Sequence, residues 1–159
     1  MAYIYGTGKL TAHCISKSVA AQIGLDYILT IIKNAYGVGE ISLRFVNTNI
    51  RKIINNEPLQ FTVATQNYDF IYVTDVAKSL YAIALKGKPF CEYIIGSSEA
   101  KPLRLYIEEL QKTLATNIEF IFGDVLFTGI NTPLVTFITT NTERDTGFKA
   151  TISFVDGSR

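Results

Sequence analysis

Short runs of apolar residues alternate with longer amphipathic segments along this 159-residue chain. The clearest run, Tyr27–Ile32, is continuous and rich in β-branched residues, which is typical of a strand buried on both faces. Leu103–Leu114 instead has apolar residues every three or four positions, the spacing of one helix face. Strands that alternate with helices predict an α/β fold with parallel strands.

The same patterns set the predicted boundaries of the elements. Helices are predicted over Lys9–Gln22 (ended by Gly24), around Leu43–Ile54, after a Thr74 cap through Ala84, and from Pro102 to Leu114. Further strands are predicted over Gln60–Ala64, Phe70–Val73, Cys91–Ile95, Ile118–Phe122 and Leu134–Thr139, with Asn34–Gly39 as a loop. No internal repeat or low-complexity linker interrupts the pattern.

The composition narrows the class of protein. Hydrophobic residues make up 48% and charged residues 18% of the chain, which indicates a globular protein and not a disordered one. A formal net charge of +1 with scattered basic residues argues against nucleic acid as a partner. The apolar runs are far shorter than the roughly 20 residues that span a bilayer, so no membrane segment is predicted.

The cysteines and the histidine bear on location and metal binding. No signal peptide is evident, and Cys14 and Cys91 are too few for a disulfide framework. Both observations predict a cytoplasmic protein with reduced thiols. His13 is the single histidine and has no neighbouring cluster of ligand residues, so no metal site is predicted and His13 is expected on a helix surface or in the core.

Tyr5 and Lys9 carry the candidate chemistry. Their four-residue spacing places a phenol and an ammonium group on one face of a helix. A nearby cation favours the phenolate form of a tyrosine, which makes such a pair a usable proton donor and acceptor near neutral pH. The alternative is an exposed helical pair without a function, because the motif is short and arises by chance.

Four further blocks accompany this motif in a fixed order. They are Asn34-Ala-Tyr-Gly-Val-Gly39, Asp69-Phe-Ile-Tyr-Val-Thr-Asp-Val-Ala77, Glu92-Tyr-Ile-Ile-Gly-Ser-Ser98 with Pro102-Leu, and Asp145-Thr-Gly-Phe-Lys149 with Ser153-Phe-Val-Asp-Gly157. Together with Tyr5–Lys9 they resemble the extended short-chain dehydrogenases/reductases, the NAD-dependent nucleotide-sugar epimerase and dehydratase family. The resemblance covers nearly the whole chain.

The resemblance implies a fold and a division of the chain. It predicts the C-terminal part of a Rossmann-type enzyme with a small mixed α/β substrate-binding lobe. Residues 1–40 would hold the active-site helix, the buried strand and the Asn-x-Tyr-Gly loop, and residues 41–159 mainly the substrate-binding lobe with residual sheet strands. No Gly-x-Gly-x-x-Gly turn occurs in the sequence, so the N-terminal dinucleotide-binding half is expected to be absent.

The resemblance also implies roles for individual residues. Tyr5 would be the catalytic acid and base, and Lys9 would promote its ionisation and hold the nicotinamide ribose of NAD or NADP. Asn34 would contact a phosphate of a sugar-nucleotide substrate. Asn49, taken as opening a helix, would also meet the substrate, and Phe61 would lie near the nucleotide base. The full-length parent would therefore use NAD or NADP, whereas this chain alone is expected to bind neither.

Two positions depart from the family pattern. Tyr68 stands where the family has an arginine before Asp69, and Ile121-Phe122 replaces a second arginine before Gly123. Those arginines grip the substrate diphosphate in the family. Lys33, Arg44 or Arg51 could stand in for them, and a different phosphate-bearing or glycosidic substrate is the other possibility, with Tyr68 itself at the substrate site.

Two functional hypotheses follow from the sequence. In the first, the chain is the substrate-binding and Tyr/Lys catalytic portion of an NAD(P)-dependent epimerase, dehydratase or reductase. In the second, it is a catalytically dead, truncated remnant that serves as a binding or oligomerisation module. Either way, the Tyr27–Ile32 strand would lack its neighbours, which predicts self-association or a partner that carries a Rossmann domain.

Overall fold

A computed structural model describes residues 2–114 and 117–159 of the chain. The helices are α1 (Ala2–Ile23), α2 (Phe45–Ile54), α3 (Val73–Lys86), α4 (Leu103–Thr113), α5 (Thr140–Thr146) and α6 (Phe154–Gly157), with a 3₁₀ helix at Leu134–Phe137. The strands are β1 (Leu29–Ile32), β2 (Asn34–Tyr36), β3 (Leu59–Phe61), β4 (Asn67–Tyr68), β5 (Phe70–Tyr72), β6 (Glu92–Ile95), β7 (Lys101–Pro102) and β8 (Phe120–Phe122).

The strands pair mainly in parallel, as the alternation of strands and helices predicts. β1 pairs with β6, β2 with β5 and β3 with β8 in parallel, while β4 and β7 pair antiparallel. The chain changes partner between β1 and β2, because the Lys33 N–H donates to Ile95 O at 2.9 Å and the Asn34 N–H donates to Asp69 O at 3.1 Å. The carboxyl ends of β1 and β6 and the start of β2 therefore lie side by side.

Two hydrophobic clusters hold this framework together. The larger one contains aromatic rings in edge contact, with Tyr106 at 4.9 Å from Phe70 and 4.8 Å from Phe154 between ring centres. It is completed by Tyr36, Val46, Ile53, Leu59, Phe61, Ala64, Leu103, Ile107 and Leu110. The smaller cluster lies between α3 and β6 and consists of Ile71, Val76, Ile83, Tyr93 and Ile95.

Two fully buried aspartates join segments that are distant in sequence. Asp75 accepts the N–H groups of Thr151 at 2.7 Å and Ile152 at 2.9 Å, and also the ammonium of Lys78 at 3.1 Å. Burial raises the pKa of the Asp75 carboxyl, but these hydrogen bonds outweigh burial and hold its pKa below the ordinary value. The start of α3 is thereby tied to the segment that precedes α6.

Asp69 plays the corresponding part at the end of β6. The Ser97 N–H donates to both of its carboxylate oxygens, at 2.9 and 3.1 Å, and the Ser97 hydroxyl donates to Oδ1. Burial raises the pKa of this carboxyl and outweighs the hydrogen bonds, which act in the other direction. Gly96 is required here because a Cβ at that position would overlap the Asp69 carboxylate.

Helix α1 contrasts with the packed elements. It begins earlier than Lys9, the predicted start, and ends where predicted, since Gly24 adopts a left-handed conformation with φ of 72°. His13 connects it to the next segment, with Nδ1 at 3.1 Å from the Tyr27 hydroxyl, and Ala20 is buried. Its apolar side chains are otherwise exposed, among them Ile4, Leu10, Ile15, Val19 and Ile23.

Tyr27–Ile32 contains a strand that is not buried on both faces within this chain, in line with the expectation that the strand would lack its neighbours. The strand β1 is shorter than predicted, and Ile31 and Ile32 are 39% and 43% exposed. A run of β-branched residues indicates a strand, but its burial depends on which elements cover it. Among the described residues, β6 is the strand that pairs with β1, and its second edge is left open.

Three local predictions also need correction. Asn34 begins strand β2 instead of a loop, because its neighbour in space, β5, supplies a pairing edge that the sequence does not reveal. Thr74 lies inside α3, whose N-cap residue is Tyr72 with extended backbone. Leu134–Thr139 was predicted as a strand, but Pro133 starts a 3₁₀ turn in which the Thr136 N–H donates to Pro133 O at 3.0 Å.

Candidate functional site

An open cleft of about 370 Å³ lies beside the start of β2 and the first turn of α2. Its lining residues come from four separate elements, namely β2, β4, β5 and the start of α2, and two of these, β2 and β5, are paired strands. They are Asn34, Ala35, Tyr36, Arg44, Phe45, Val46, Asn47, Tyr68 and Phe70. The cleft therefore combines two predicted substrate-binding residues, Asn34 and Tyr68, that are far apart in sequence.

Two side-chain amides, those of Asn34 and Asn47, line this cleft. The Asn34 side-chain NH₂ donates to Asp69 O at 3.3 Å, and the Asn47 NH₂ donates to Gly37 O at 2.9 Å. Among the described residues no hydrogen bond to either side-chain carbonyl oxygen is found, and an amide oxygen of this kind can accept a hydroxyl or amide group of a ligand. Asn47 was missed in the sequence analysis, although a polar residue in the first turn of an amphipathic helix was a usable signal.

Tyr68 provides an aromatic surface in the cleft. It is half-buried and stacks on Phe70, with ring centres 5.5 Å apart and planes at 13°. Within the described residues its hydroxyl makes no hydrogen bond. An aromatic ring with a free hydroxyl can contact the apolar face of a ring-shaped ligand and bond to its polar edge.

The cations considered as replacements for the absent arginines differ in availability. Arg51 is engaged by the protein, since its guanidinium donates to Asn47 O, Ile41 O and Ser42 O at 3.1, 3.3 and 2.8 Å. Lys33 lies with Nζ 5.0 Å from the Phe137 ring centre, and burial lowers its pKa while Asp69 acts in the opposite direction. Arg44 is exposed, lines the cleft and donates no hydrogen bond to any described residue.

Asn49 and Phe61 lie outside the cleft. Asn49 does not open a helix, as the sequence suggested; it lies in the middle of α2, is buried, and donates its side-chain NH₂ to Phe45 O at 2.7 Å. Arg44 occupies the position before that helix. Phe61 is 5% exposed and packs between Phe45 and Phe122, so it contributes to the hydrophobic core.

Tyr5 and Lys9 share one face of α1, as their spacing predicts. The Lys9 Nζ lies 5.6 Å from the centre of the Tyr5 ring, and the Tyr5 side chain is 71% exposed. Among the described residues that line the cleft, none belongs to α1. The candidate acid–base pair is therefore not part of the cleft lining formed by the described residues.

The described residues form neither a metal site nor a membrane-spanning helix. Residues 2–114 and 117–159 contain no group of three or more His, Cys, Asp or Glu side chains arranged to hold a metal ion. Cys14 is an exposed free thiol and Cys91 a half-buried one. No helix in the described part of the chain has the length and apolar character needed to cross a bilayer.

Comparison with known proteins gives a consistent result. The sequence profile of the NAD dependent epimerase/dehydratase family matches residues 2–96. A dTDP-D-glucose 4,6-dehydratase of Bos taurus is 28% identical over 117 residues, which is 72% of this chain and 33% of that protein. A CDP-abequose synthase of Salmonella muenchen is 26% identical over 96 residues, 59% of this chain and 33% of that protein.

Solved structures show the same fold over almost the whole chain. The structure of RMD from Pseudomonas aeruginosa complexed with NADPH superposes with a TM-score of 0.86 and 19% identity, covering 98% of this chain and 53% of that one. WbmF from Bordetella bronchiseptica, in complex with NADH, gives a TM-score of 0.74 and 27% identity over 91% of this chain and 47% of that one. The chain spans about a third of the length of the curated relatives and about half of these structures.

Proposed function

Since the chain belongs to the NAD dependent epimerase/dehydratase family, we propose that it is the Tyr/Lys catalytic and substrate-binding portion of an NAD(P)-dependent enzyme. Its reaction is the epimerisation, dehydration or reduction of a sugar nucleotide or a related sugar. The observation that carries the proposal is the Tyr5–Lys9 pair, which lies on one exposed helix face with Nζ close to the phenol ring. The open cleft at Asn34, Arg44 and Tyr68 is the second support.

The chain's own residues supply the proton chemistry. The Tyr5 hydroxyl gives or takes the proton of the sugar hydroxyl whose carbon exchanges hydride, and the Lys9 ammonium lies on the same helix face as the phenol. Asn34 and Tyr68 contact the substrate by hydrogen bonds and ring packing. Asn49 and Phe61, which the resemblance also assigned to the substrate, act indirectly through the helix and core that shape the cleft.

The cofactor fits this chain only in part. NAD or NADP, when bound, supplies the hydride acceptor and donor. The exposed Lys9 ammonium and Tyr5 hydroxyl suit contacts to ribose hydroxyls. A pyrophosphate group, however, is usually held by a glycine-rich turn between a strand and a helix N-terminus, and no such turn occurs in the described residues. The cofactor is therefore held mainly by residues outside this chain.

The exposed apolar surface of α1 favours an association partner. Ile4, Ile15 and Ile23 are 77%, 59% and 63% exposed on a helix that otherwise contacts the molecule mainly through His13 and Ala20. Contiguous apolar surface of this kind is typical of interaction sites. We propose that α1 packs against a second copy or a Rossmann-bearing polypeptide. We also propose that the protein resides in the reducing cytoplasm, a proposal that its two free thiols support.

The same surface supports the second candidate function. A catalytically dead remnant that acts as a binding or oligomerisation module would use α1 for association and would not need Tyr5. Sequencing the DNA upstream of the Met1 codon separates the candidates. An in-frame strand, glycine-rich turn and helix favour the enzyme, whereas a stop codon favours the remnant.

A matched pair of tyrosine variants tests the chemistry directly. The protein purified with its native partners is assayed for NAD(P)-dependent turnover of nucleotide sugars. Tyr5→Phe keeps the shape and deletes the proton, so kcat should fall by about a hundredfold to ten-thousandfold. Tyr81→Phe is the control, since Tyr81 on α3 is 68% exposed, a fraction similar to the 71% of Tyr5. Equal turnover in both variants contradicts the proposal.

A further inference from the structure

The cleft beside β2 contains a single charged side chain among its described lining residues, Arg44. Arg51 cannot contribute without breaking its three bonds to backbone carbonyl groups. Glu40 lies in the neighbouring groove, where its carboxylate accepts the Ser42 N–H at 3.0 Å. Hydrogen bonds from Ser42 and the charges of Arg44 and Arg51 hold the pKa of Glu40 below its ordinary value. Arg44 is therefore the available cation of this cleft.

One guanidinium matches one anionic group. Its fixed fork of N–H donors suits a carboxylate or one phosphate group bidentately, and its single positive charge balances one anionic group but not the two or more negative charges of a diphosphate. Among the other described lining residues there is no second cation, and Tyr68, in the place of the family's arginine, stacks on Phe70. These residues would leave part of the negative charge of a nucleotide diphosphate without a charged partner.

The remaining lining groups suit a polyhydroxylated ring. Asn34 and Asn47 both line the cleft and donate their side-chain NH₂ groups to backbone carbonyls, so their amide oxygens are the groups that can accept ligand hydroxyls. Tyr68 adds a ring face and a hydroxyl without a partner among the described residues. Acceptors, an aromatic face and one cation together describe a site for a sugar that carries one negative group.

A competing arrangement involves Arg104 at the start of α4. Its guanidinium carbon lies 4.2 Å from the ring centre of Phe122, the residue in place of the family's second arginine. Its Nε donates to Glu108 at 3.1 Å, and its side chain is about half exposed. Arg104 does not line the cleft, however, and its charge is already paired with Glu108.

We propose that the cleft binds a sugar bearing one anionic group, a carboxylate or a monophosphate gripped by Arg44, in preference to a nucleotide diphosphate sugar. This inference rests on the proposed function, because it names the substrate class of the same site. It makes Arg44 the residue that determines substrate specificity. It also predicts that the nucleotide portion of a nucleotide sugar adds little to binding.

Titrations followed by amide chemical shifts test the inference in the full chain, and they detect millimolar affinities. The probes are D-glucuronate, glucose 1-phosphate and UDP-glucose. We expect glucuronate or glucose 1-phosphate to shift the amides of Asn34, Asn47 and Tyr68 and to bind at least as tightly as UDP-glucose. Preference between the first two identifies the anion as carboxylate or phosphate.

Charge-removing variants provide the controls. Arg44→Gln should raise the Kd of the anionic sugar at least tenfold. Lys112→Gln removes an exposed cation on α4 and should leave that Kd within twofold of the wild-type value. UDP-glucose binding at least tenfold tighter than glucose 1-phosphate, and lost in Arg104→Gln, overturns the inference but keeps the proposed function. If none of the three probes shifts the cleft amides, the inference fails and the cleft is not the substrate site of the proposed enzyme.

Discussion

Helix α1 and the lobe that runs from β2 to α6 differ in how they are stabilised. In the lobe, Leu59, Tyr93, Ile107 and Leu110 are completely buried. Along α1, large apolar side chains are exposed and Ala20 is the buried residue among those described. The substrate cleft is thus built by long-range packing within this chain. The Tyr5–Lys9 pair, in contrast, lies on a helix whose apolar side chains are not covered by the other described residues.

The same substitution in the two regions should have opposite effects on stability. Gly96→Ala places a Cβ against the buried Asp69 carboxylate, so we expect a loss of about 2–3 kcal/mol in the free energy of unfolding. Gly8→Ala, in α1 with no atom near the added Cβ, should raise it by up to about 1 kcal/mol through helix propensity. Urea unfolding followed by circular dichroism measures both. Similar effects at the two positions would contradict the contrast.

The two buried aspartates should give the lobe opposite responses to pH. The pKa of Asp75 is lowered on folding, so its contribution to stability is present above the unfolded pKa of about 3.9 and is lost as pH falls through the folded value. Asp75→Asn should therefore cost about 1–3 kcal/mol at neutral pH and should flatten the acid side of the stability curve.

The pH dependence of the contribution of Asp69 to stability has the opposite sign to that of Asp75. Its pKa is raised on folding, so its contribution is present below the unfolded pKa and is lost as pH rises through the folded value. Asp69→Asn should cost less than Asp75→Asn at neutral pH, because it removes a buried charge that folding disfavours. Urea titrations between about pH 3 and pH 8 give the free energy of unfolding of each variant as a function of pH. Variant curves that both run parallel to the wild-type curve would show that neither carboxyl is coupled to folding.

A charge on α1 should affect association and leave folding intact. Ile15→Glu puts a carboxylate into the exposed apolar groove formed with Ile4, Thr11 and Ala12, so we expect at least about tenfold weaker self-association or partner binding. Leu126→Glu, at an 84% exposed position in the lobe, is the control. Sedimentation velocity over a concentration series distinguishes them. A wild-type protein that stays monomeric and without a partner contradicts the proposed role of α1.

The smallest expected effect is the response to cofactor. Because the pyrophosphate-binding turn is not found in the described residues, NADH or NADPH should produce no measurable heat when titrated into the isolated chain. Lys9→Met should make no difference in this experiment. Micromolar binding to the wild-type chain would mean that α1 holds the cofactor without a Rossmann domain.

Much of the fold was predictable from local signals. Pro102 and the apolar spacing after it defined α4, and the family resemblance and the parallel α/β class are confirmed. Long-range partners were not predictable in the same way. Asn34 was predicted as a loop residue because its pairing partner, β5, lies 36 positions later in the sequence. The burial of Ile31 and Ile32 depends on which elements pack over β1, and the local sequence pattern does not identify those elements.

The candidate site was predictable only in part. Asn34 and Tyr68 were predicted at the substrate site and line one cleft, and this placement required the β2–β5 pairing. Arg44 was one of three basic residues named as possible replacements for the absent arginines. Only the structure showed that the guanidinium of Arg51 is hydrogen-bonded to backbone carbonyls. Asn49 was placed wrongly within its helix, because the family resemblance put it at a helix start, whereas the apolar pattern began the same helix near Leu43, close to the observed start at Phe45.

The bonds between Asp75 and the segment before α6 have a consequence for amide hydrogen exchange. Thr151 and Ile152 lie outside helices and strands, yet both amide protons are donated to a fully buried carboxylate oxygen. Their exchange should therefore be slow, like that of amides in regular structure, and should need an opening that separates this segment from α3. Below the folded pKa of Asp75 the protonated carboxyl is a weaker acceptor, so exchange protection at these two positions should fall before that of α4.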